Sequence, residues 1–225
     1  MTEITERLAE IVGRVARAAA RAGRDANDVT IVAVSKEQPA AAIAAAYAAG
    51  VRHFGESYVQ EAVPKMELLR ELPISWHFIG KLQANKTRLV AERFAWVHTV
   101  DRARIAARLN EQRPQHAAPL NVLIQVNQAA DARRGGAAPD EVAALASVIV
   151  ALPRLRLCGL MTLPPQHGAP ERWFAELRDL RARLCATGLE LDALSMGTSA
   201  DFEAAIAAGA SFVRIGTAIF GSRGA

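Results

Sequence analysis

Residues 30–50 read TIVAVSKEQPAAAIAAAYAAG, which predicts a buried strand followed at once by a helix. The run from Thr30 to Ser35 is apolar and β-branched, and it has the length of a strand. Pro39 stands at the head of an alanine-rich segment, where it favours the start of a helix, and Gly50 ends the pattern. This stretch is therefore one complete βα unit.

The same pattern continues along the chain. Further strands are predicted at 52–56, 75–80, 95–100, 120–127, 155–163, 193–197 and 211–216, with helices at 57–70, 82–93, from Asp101, and at 139–150, 170–187 and 200–208. Eight such units in about 200 residues are typical of a single (β/α)₈ TIM barrel of the α/β class. An amphipathic pattern over 3–22 predicts an extra N-terminal helix. A doubly wound open sheet is the alternative, but VSKEQP after the first strand has no glycine-rich dinucleotide turn.

Composition and charge argue against several classes of protein. The 225 residues are 51% hydrophobic and 22% charged, which suits one domain over 1–225 with a large core. The net charge is +4, yet the arginines are dispersed, so we expect no nucleic-acid partner. No apolar run reaches about 18 residues and the first residues are rich in charge, so we expect no membrane span and no secretory signal. We expect a cytoplasmic protein with reduced cysteines.

The carboxyl ends of barrel strands form the active face of this fold, and Lys36 follows the first strand directly. The sequence holds only four lysines among 27 basic residues, so a lysine at this position is informative. One interpretation is structural, with the side chain reaching solvent from the strand edge. The other is a nucleophilic amine, since burial favours the neutral form that attacks a carbonyl.

Pyridoxal 5′-phosphate (PLP) supplies such a carbonyl together with a phosphate. Barrels usually bind phosphate at the loops after strands seven and eight. After strand seven, Ser199 and Asp201 could cap the next helix and orient its first N–H groups, although plain helix capping would account for Ser199 alone. After strand eight, Gly216 allows close backbone approach and Thr217 adds a hydroxyl.

Six motifs at the same kind of βα position extend over nearly the whole chain. They are VAVSKEQP (32–39), HFGESYVQE (53–61), WHFIGKLQANK (76–86), VHTVDR (97–102), GLMTLP (159–164) and LSMGTSADFEAAIAAGASFVRIGTAIFG (194–221). In this order they resemble the YggS/PROSC family of PLP homeostasis proteins, which is related to the N-terminal barrel of alanine racemase.

The resemblance implies that Lys36 holds PLP as an internal aldimine. It further implies phosphate contacts from Ser199, Gly216 and Thr217, a position for Arg214 facing the pyridine nitrogen, and further cofactor-binding positions at Met196 and Gly197. A permanently cationic guanidinium opposes protonation of that nitrogen, so the ring becomes a weaker electron sink.

Three hypotheses for the function follow. The first is a monomeric, non-catalytic protein of PLP homeostasis, with PLP-dependent apoenzymes as partners. The second is an amino-acid racemase. Related racemases take a second acid or base from an added domain, and we expect no such domain after residue 221. Tyr58 is the candidate for the second acid or base in this sequence. The third is a barrel enzyme in which Lys36 forms a Schiff base with a phosphorylated sugar or indole-type substrate, without a cofactor.

Several positions depart from the family pattern or lack an assigned role. The family commonly has Asn, Met, Glu and Lys where this sequence has Ser57, Thr198, Asp131 and Arg134. His77 and His98 lie on predicted strands without a carboxylate at ligand spacing. We therefore expect core hydrogen bonds from both histidines and no metal site.

Overall fold

Eight parallel strands close into a barrel in the computed structural model, which describes residues 3–131, 134–165 and 168–221. The strands follow chain order, and β1 pairs with β8 to close the sheet. Their bounds are β1 Thr30–Val34, β2 His53–Glu56, β3 Ser75–Phe78, β4 Trp96–Val100, β5 Leu120–Val126, β6 Leu155–Thr162, β7 Ala193–Thr198 and β8 Phe212–Ile215. The predicted TIM barrel is confirmed.

Helices connect the strands and cover the outside of the barrel. Their bounds are α1 Glu3–Arg21, α2 Ala40–Ala48, α3 Val59–Leu68, α4 Thr87–Arg93, α5 Ala103–Gln112, α6 Val142–Val150, α7 Pro170–Cys185, α8 Phe202–Ala207 and α9 Thr217–Phe220. The extra N-terminal helix α1 buries an apolar face and packs against α2, α8 and α9. None of the helices in the described ranges is long and apolar enough to span a membrane.

Two helices, α4 and α6, begin three or more residues later than the sequence pattern predicts. A 3₁₀ turn at Ala84–Lys86 precedes α4, because the preceding residues form a loop on the active face. The predicted start of α6 at Pro139 is also too early. Ala137 exchanges backbone hydrogen bonds with Gln125 and Asn127, which ties this segment to the end of β5 before the helix begins at Val142.

Two apolar clusters stabilise the fold. The larger cluster lies between the sheet and the helices and includes Ile43, Phe54, Phe174 and Ile206, each almost fully buried. The smaller cluster contains Val32, Leu123, Cys158, Met161, Ala193 and Phe212, with Trp96 packed against it. Side chains thus fill the interior of the barrel, as in other barrels of this size. The face that is open to ligands lies at the carboxyl ends of the strands.

Candidate functional site

A cavity of about 1010 Å³ lies at the carboxyl end of the barrel. It is lined by residues from the loops after β1, β2, β3, β7 and β8, including Lys36, Ser57, Tyr58, Gly80, Lys81, Lys86, Thr198, Ser199, Arg214, Gly216 and Thr217. Five of the seven site residues predicted from the sequence therefore line one cavity: Lys36, Ser199, Arg214, Gly216 and Thr217. This is the face on which TIM barrels carry their chemistry.

Lys36 is half-buried directly after β1. Within the described part of the chain, its Nζ has neither an acidic partner nor a hydrogen-bond acceptor. An amine without an ion pair is free to react with a carbonyl compound that enters the cavity.

A buried network fixes the backbone on both sides of Lys36. Lys65 Nζ donates to the carbonyl of Ser35 at 2.8 Å and to Glu56 Oε1 at 2.9 Å, and it also pairs with Glu61. Ser35 Oγ donates to Glu56 Oε1 at 2.7 Å, and the backbone N–H of Glu37 donates to Glu61. The residues before and after Lys36 are thereby held to Lys65 and Glu61 of α3.

Glu56 is the most deeply buried carboxyl in this network, with no exposed surface. Burial raises its pKa, while the hydrogen bonds and charge of Lys65 and the hydroxyl of Ser35 act in the opposite direction. This network was not predicted from the sequence, because Lys65 lies within a helical pattern that is typical of a surface helix. The scarcity of lysine was the signal that could have revealed it.

Ser199 and its neighbours form the polar end of the cavity between β7 and β8. Ser199 Oγ lies 3.3 Å from the backbone nitrogen of Gly216 and 3.5 Å from that of Ala218, and it accepts from both N–H groups. A Cβ added at Gly216 would meet only Val34, at 3.4 Å, so the protein itself does not require glycine there. The Ser199 and Thr217 side chains thus bring hydroxyl groups to the cavity, while the Gly216 and Ala218 N–H groups donate to Ser199 Oγ.

The predicted capping of the helix after β7 is wrong in its details. Asp201 is the N-cap residue of α8, but its side chain makes no capping bond to that helix. Asp201 Oδ1 instead accepts from the backbone N–H of Thr198 at 2.6 Å and from the Thr198 hydroxyl at 2.9 Å. The two side chains expected to cap α8 are thus used to shape the β7 and β8 loops. The Thr198 departure from the family pattern has this clear role.

Arg214 is a buried cation in the cavity wall. Its Nη1 donates to Ser195 Oγ at 2.6 Å and its Nη2 donates to the carbonyl of Thr162 at 2.9 Å. Burial lowers the pKa of Arg214 to about 10, and the charge of Asp201 raises it. The guanidinium therefore stays protonated at neutral pH.

Met196 and Gly197 do not line the cavity. Met196 has no exposed surface and belongs to the apolar cluster between the sheet and the helices. Gly197 has φ +88°, and a Cβ there would stand 2.6 Å from Ala205 Cβ and 2.9 Å from Phe202 Cα. Its glycine allows α8 to pack against β7, which is a structural requirement.

Gly80 lines the cavity, and the loop after β5 contacts Leu163 in the cavity wall. A Cβ at Gly80 would lie 2.0 Å from the carbonyl oxygen of Ser57, so glycine is needed where these two loops touch. Arg134 Nη1 donates to the carbonyl of Leu163 at 2.9 Å, and its Nε lies 3.5 Å from Asp131 Oδ2. Arg134 thus ties this loop to the one after β6. Residues 132–133 of the loop lie outside the described residues.

A line of histidines crosses the barrel and ends at Arg214. His53 Nδ1 lies 2.9 Å from His77 Nε2, and His77 Nδ1 lies 2.9 Å from His98 Nε2. His98 Nδ1 lies 2.8 Å from Ser195 Oγ, the hydroxyl that also contacts Arg214. The predicted core location of His77 and His98 agrees with this arrangement, but the continuous line was not predicted.

Comparison with known proteins gives a consistent family. Residues 7–224 match the family model described as "Alanine racemase, N-terminal domain". The chain is 52% identical over 226 residues to the "Pyridoxal phosphate homeostasis protein" of Pseudomonas aeruginosa, covering 99% of this chain and 97% of that protein. It is 49% identical over 229 residues to the protein of the same name from Escherichia coli K12, covering 99% and 98%.

Solved structures show the same relationship. PipY of Synechococcus elongatus, solved with PLP bound, is 38% identical, with a TM-score of 0.86 over 97% of this chain and all of that chain. Alanine racemase from Corynebacterium glutamicum shares the fold at 20% identity, with a TM-score of 0.68, and this chain covers 59% of it. By sequence and by fold, the chain belongs to the alanine racemase N-terminal domain family, and within that family to the pyridoxal phosphate homeostasis proteins.

Proposed function

We propose that this protein binds PLP covalently through Lys36 and serves in PLP homeostasis, without robust catalysis of its own. The observation that carries the proposal is the position of Lys36. Its amine has no acidic partner among the described residues, and it shares one cavity with the polar loops after β7 and β8. The relatives named above, one of them solved with PLP, support the same assignment.

The residues of the cavity fit the three polar parts of PLP. Lys36 Nζ would attach to the aldehyde carbon, with loss of water. Ser199 and Thr217 would hold the phosphate through their hydroxyls, and the backbone N–H of Gly216 would exchange its 3.3 Å bond to Ser199 Oγ for one to the phosphate. Arg214 would face the pyridine nitrogen from the cavity wall, where its position is fixed by Ser195 and Thr162.

The charge of Arg214 argues against strong catalysis. Bound PLP serves enzymes as an electron sink, and a protonated ring nitrogen makes that sink stronger. Arg214 is cationic and buried, so a second positive charge beside it is disfavoured. The site would therefore retain the cofactor and leave its ring nitrogen neutral.

The Lys65 network would position the reactive amine. Its hydrogen bonds reach the carbonyl before Lys36 and, through Glu61, the N–H after it. A backbone held at both points limits the directions in which the Lys36 side chain can extend. Such pre-organisation reduces the entropy that must be lost on binding.

The proposal extends to partners and setting. We place the protein in the cytoplasm as a monomer that exchanges PLP with PLP-dependent apoenzymes. Two features suit an exchanging site: the cavity opens to solvent, and Lys81 and Lys86 at its wall have no acidic partner within the described ranges. They would attract the phosphate during entry.

An amino-acid racemase is the second candidate, and one observation favours it. Tyr58 lines the same cavity as Lys36, so its hydroxyl could exchange a proton with a bound amino acid.

Visible absorbance of the purified protein mixed with PLP tests the main proposal. A covalent link between PLP and Lys36 gives a visible band that borohydride removes, and Lys36→Ala should lack this band. Lys65, Lys81 and Lys86 remain in that variant, which makes it specific for the site. A protein that shows no such band, while it reacts with a sugar phosphate through Lys36, would support the cofactor-free alternative instead.

A further inference from the structure

The line of histidines joins the two ends of the barrel. At one end, Arg214 lines the cavity at the carboxyl ends of the strands. At the other, half-buried His53 lines a separate cavity of about 530 Å³. Its other walls come from α1, from the start of β1 and from the residues that precede β1 and β2. His77, His98 and Ser195 lie between them with no exposed surface. Five side chains from five different strands thus form one continuous path.

The direction of hydrogen bonding along this path can be worked out from Arg214. A guanidinium only donates, so Ser195 Oγ must accept from Arg214. In the described part of the chain, the one partner left for the Ser195 hydroxyl hydrogen is His98 Nδ1, 2.8 Å away. His98 Nδ1 then carries no proton, and a neutral His98 has its proton on Nε2.

The remaining rings donate in the same direction. His98 Nε2–H donates to His77 Nδ1, and His77 Nε2–H donates to His53 Nδ1. Every buried nitrogen of His77 and His98 then has one partner, as buried polar atoms require. The opposite direction would leave the buried hydroxyl hydrogen of Ser195 without an acceptor among the described residues.

Packing and charge keep these rings neutral and in place. Burial lowers the pKa of His98 and of His77 well below the usual value, and the charges of Arg214 and of the neighbouring histidines act in the same direction. His77 stacks on Trp96 with ring centroids 5.6 Å apart, and Phe212 contacts both buried histidines edge to face. The rings are therefore held at hydrogen-bonding distance by their neighbours.

The geometry points to a positioning role for Ser195, His98 and His77: they form a chain of hydrogen bonds with one direction of donation that fixes the guanidinium of Arg214 in the cavity wall. The consequence for the pyridine nitrogen rests on the proposed function, whereas the direction of the chain does not. Without this chain, Thr162 would be the only remaining partner of the guanidinium nitrogens within the described ranges. A single bond would not fix the plane of the guanidinium.

The direction of the chain can be tested without any cofactor. In cofactor-free protein labelled with ¹⁵N-histidine, NMR should show Nε2–H and unprotonated Nδ1 for both His77 and His98 at neutral pH. His116, which is exposed and outside the chain, is assigned by His116→Gln and serves as the reference. A proton on Nδ1 of His98, or a charged ring at either position, would overturn the inference even if PLP binding proves correct.

The effect on the site is tested with PLP labelled with ¹⁵N at the ring nitrogen. His98→Phe can pack but cannot bond, whereas His98→Gln can replace the bond to Ser195. We expect Ser195→Ala and His98→Phe to weaken PLP binding about tenfold and to move the ring ¹⁵N resonance. His98→Gln should restore both values, and His116→Gln should change neither.

Two results separate this inference from the proposed function. If the parent protein does not attach PLP to Lys36, the proposed function fails, and the histidine NMR still decides the direction of the chain. If the parent binds PLP but folded Ser195→Ala and His98→Phe leave its affinity and ring resonance unchanged, the positioning role is wrong. Circular dichroism identifies variants that fail to fold. For those, the tautomers of the parent protein decide the matter.

Discussion

At the scale of single residues, the site depends on which cavity-lining lysine reacts. Lys36, Lys81 and Lys86 all line the cavity, so proximity alone does not select one of them. Lys36 differs because it lies two residues after the end of β1 and its neighbours Ser35 and Glu37 are both bonded to the Lys65 network. Lys81 is exposed on the loop after β3, where its side chain has more freedom.

We predict that Lys36→Ala abolishes covalent attachment of PLP. The measurement is borohydride reduction of the protein with PLP, followed by peptide mapping. In the parent protein the pyridoxyl label should lie on Lys36, and in Lys86→Ala it should still lie on Lys36. A label found mainly on Lys81 or Lys86 would contradict the assignment.

We predict that Ser199→Ala and Thr217→Val weaken the binding of PLP more than that of pyridoxal. Pyridoxal lacks the phosphate, and a hydrogen bond to a charged group contributes about 1.5–3 kcal/mol. Each variant should therefore lose about tenfold or more in PLP affinity, measured by absorbance titration with both compounds. Ser147→Ala on α6 is the control, because that hydroxyl bonds only within its own helix. Equal losses for the two compounds would place the phosphate elsewhere.

The residues of the cavity could be predicted where strand ends are predictable. Lys36, Arg214 and Thr217 lie at or directly after the end of a strand, and a barrel brings all such ends to one face. Met196 and Gly197 belong to the same motif, but the alternation of side chains along a strand and the packing of α8 direct them away from the cavity. The same motif therefore contains residues that line the cavity and residues that only support the fold.

At the scale of elements, strand periodicity was enough to predict the barrel, whereas helix starts were not. Whether α6 begins at Pro139 or at Val142 depends on backbone bonds between Ala137 and the end of β5, which are contacts distant in sequence. The Lys65 network has the same character, since it joins β1, β2 and α3. Local sequence patterns contain no information on such pairings.

Lys65→Met should reduce the free energy of unfolding by about 3–5 kcal/mol, because it leaves the carboxylate of Glu56 buried without its cation. The measurement is urea unfolding. The double variant Lys65→Met/Glu56→Gln should recover part of the loss, since the second change removes the charge. Lys81→Met, at an exposed lysine, is the control. A loss equal to that of the control would show that the network contributes nothing to stability.

The loss in Lys65→Met should grow with pH. Removal of Lys65 takes away interactions that lower the Glu56 pKa, so burial raises that pKa further above its ordinary value of 4.5. The folded variant then binds a proton more tightly than the unfolded chain, and its stability falls as pH rises through the folded pKa. Unfolding at about pH 5 and about pH 8 should show the larger deficit at the higher pH, and the double variant should not show this difference.

At the scale of the whole molecule, one barrel serves two kinds of site. Racemases share this fold at low sequence identity, so the fold by itself does not decide between storage of a cofactor and catalysis with it. The chemical groups around the cavity determine which of these two functions a barrel has. Besides Lys36 and the two arginines Arg102 and Arg214, the titratable groups of the described cavity wall are Tyr58, Lys81 and Lys86.

The last prediction concerns catalysis by the intact protein. Racemisation needs a strong electron sink and a proton donor on the face opposite Lys36, but in the proposed site Arg214 would keep the sink weak, and Tyr58 is 57% exposed. A positioned acid or base contributes about 10²–10⁴-fold, so its poor placement should keep turnover far below that of ordinary enzymes. We therefore expect slow or undetectable exchange of the α-proton of L-alanine in D₂O, followed by NMR and chiral analysis, with Lys36→Ala as the blank. Turnover of about one per second or faster that depends on Lys36 would instead establish a racemase, because that rate lies within the range of ordinary enzymes. Loss of that turnover in Tyr58→Phe would then identify the second acid or base.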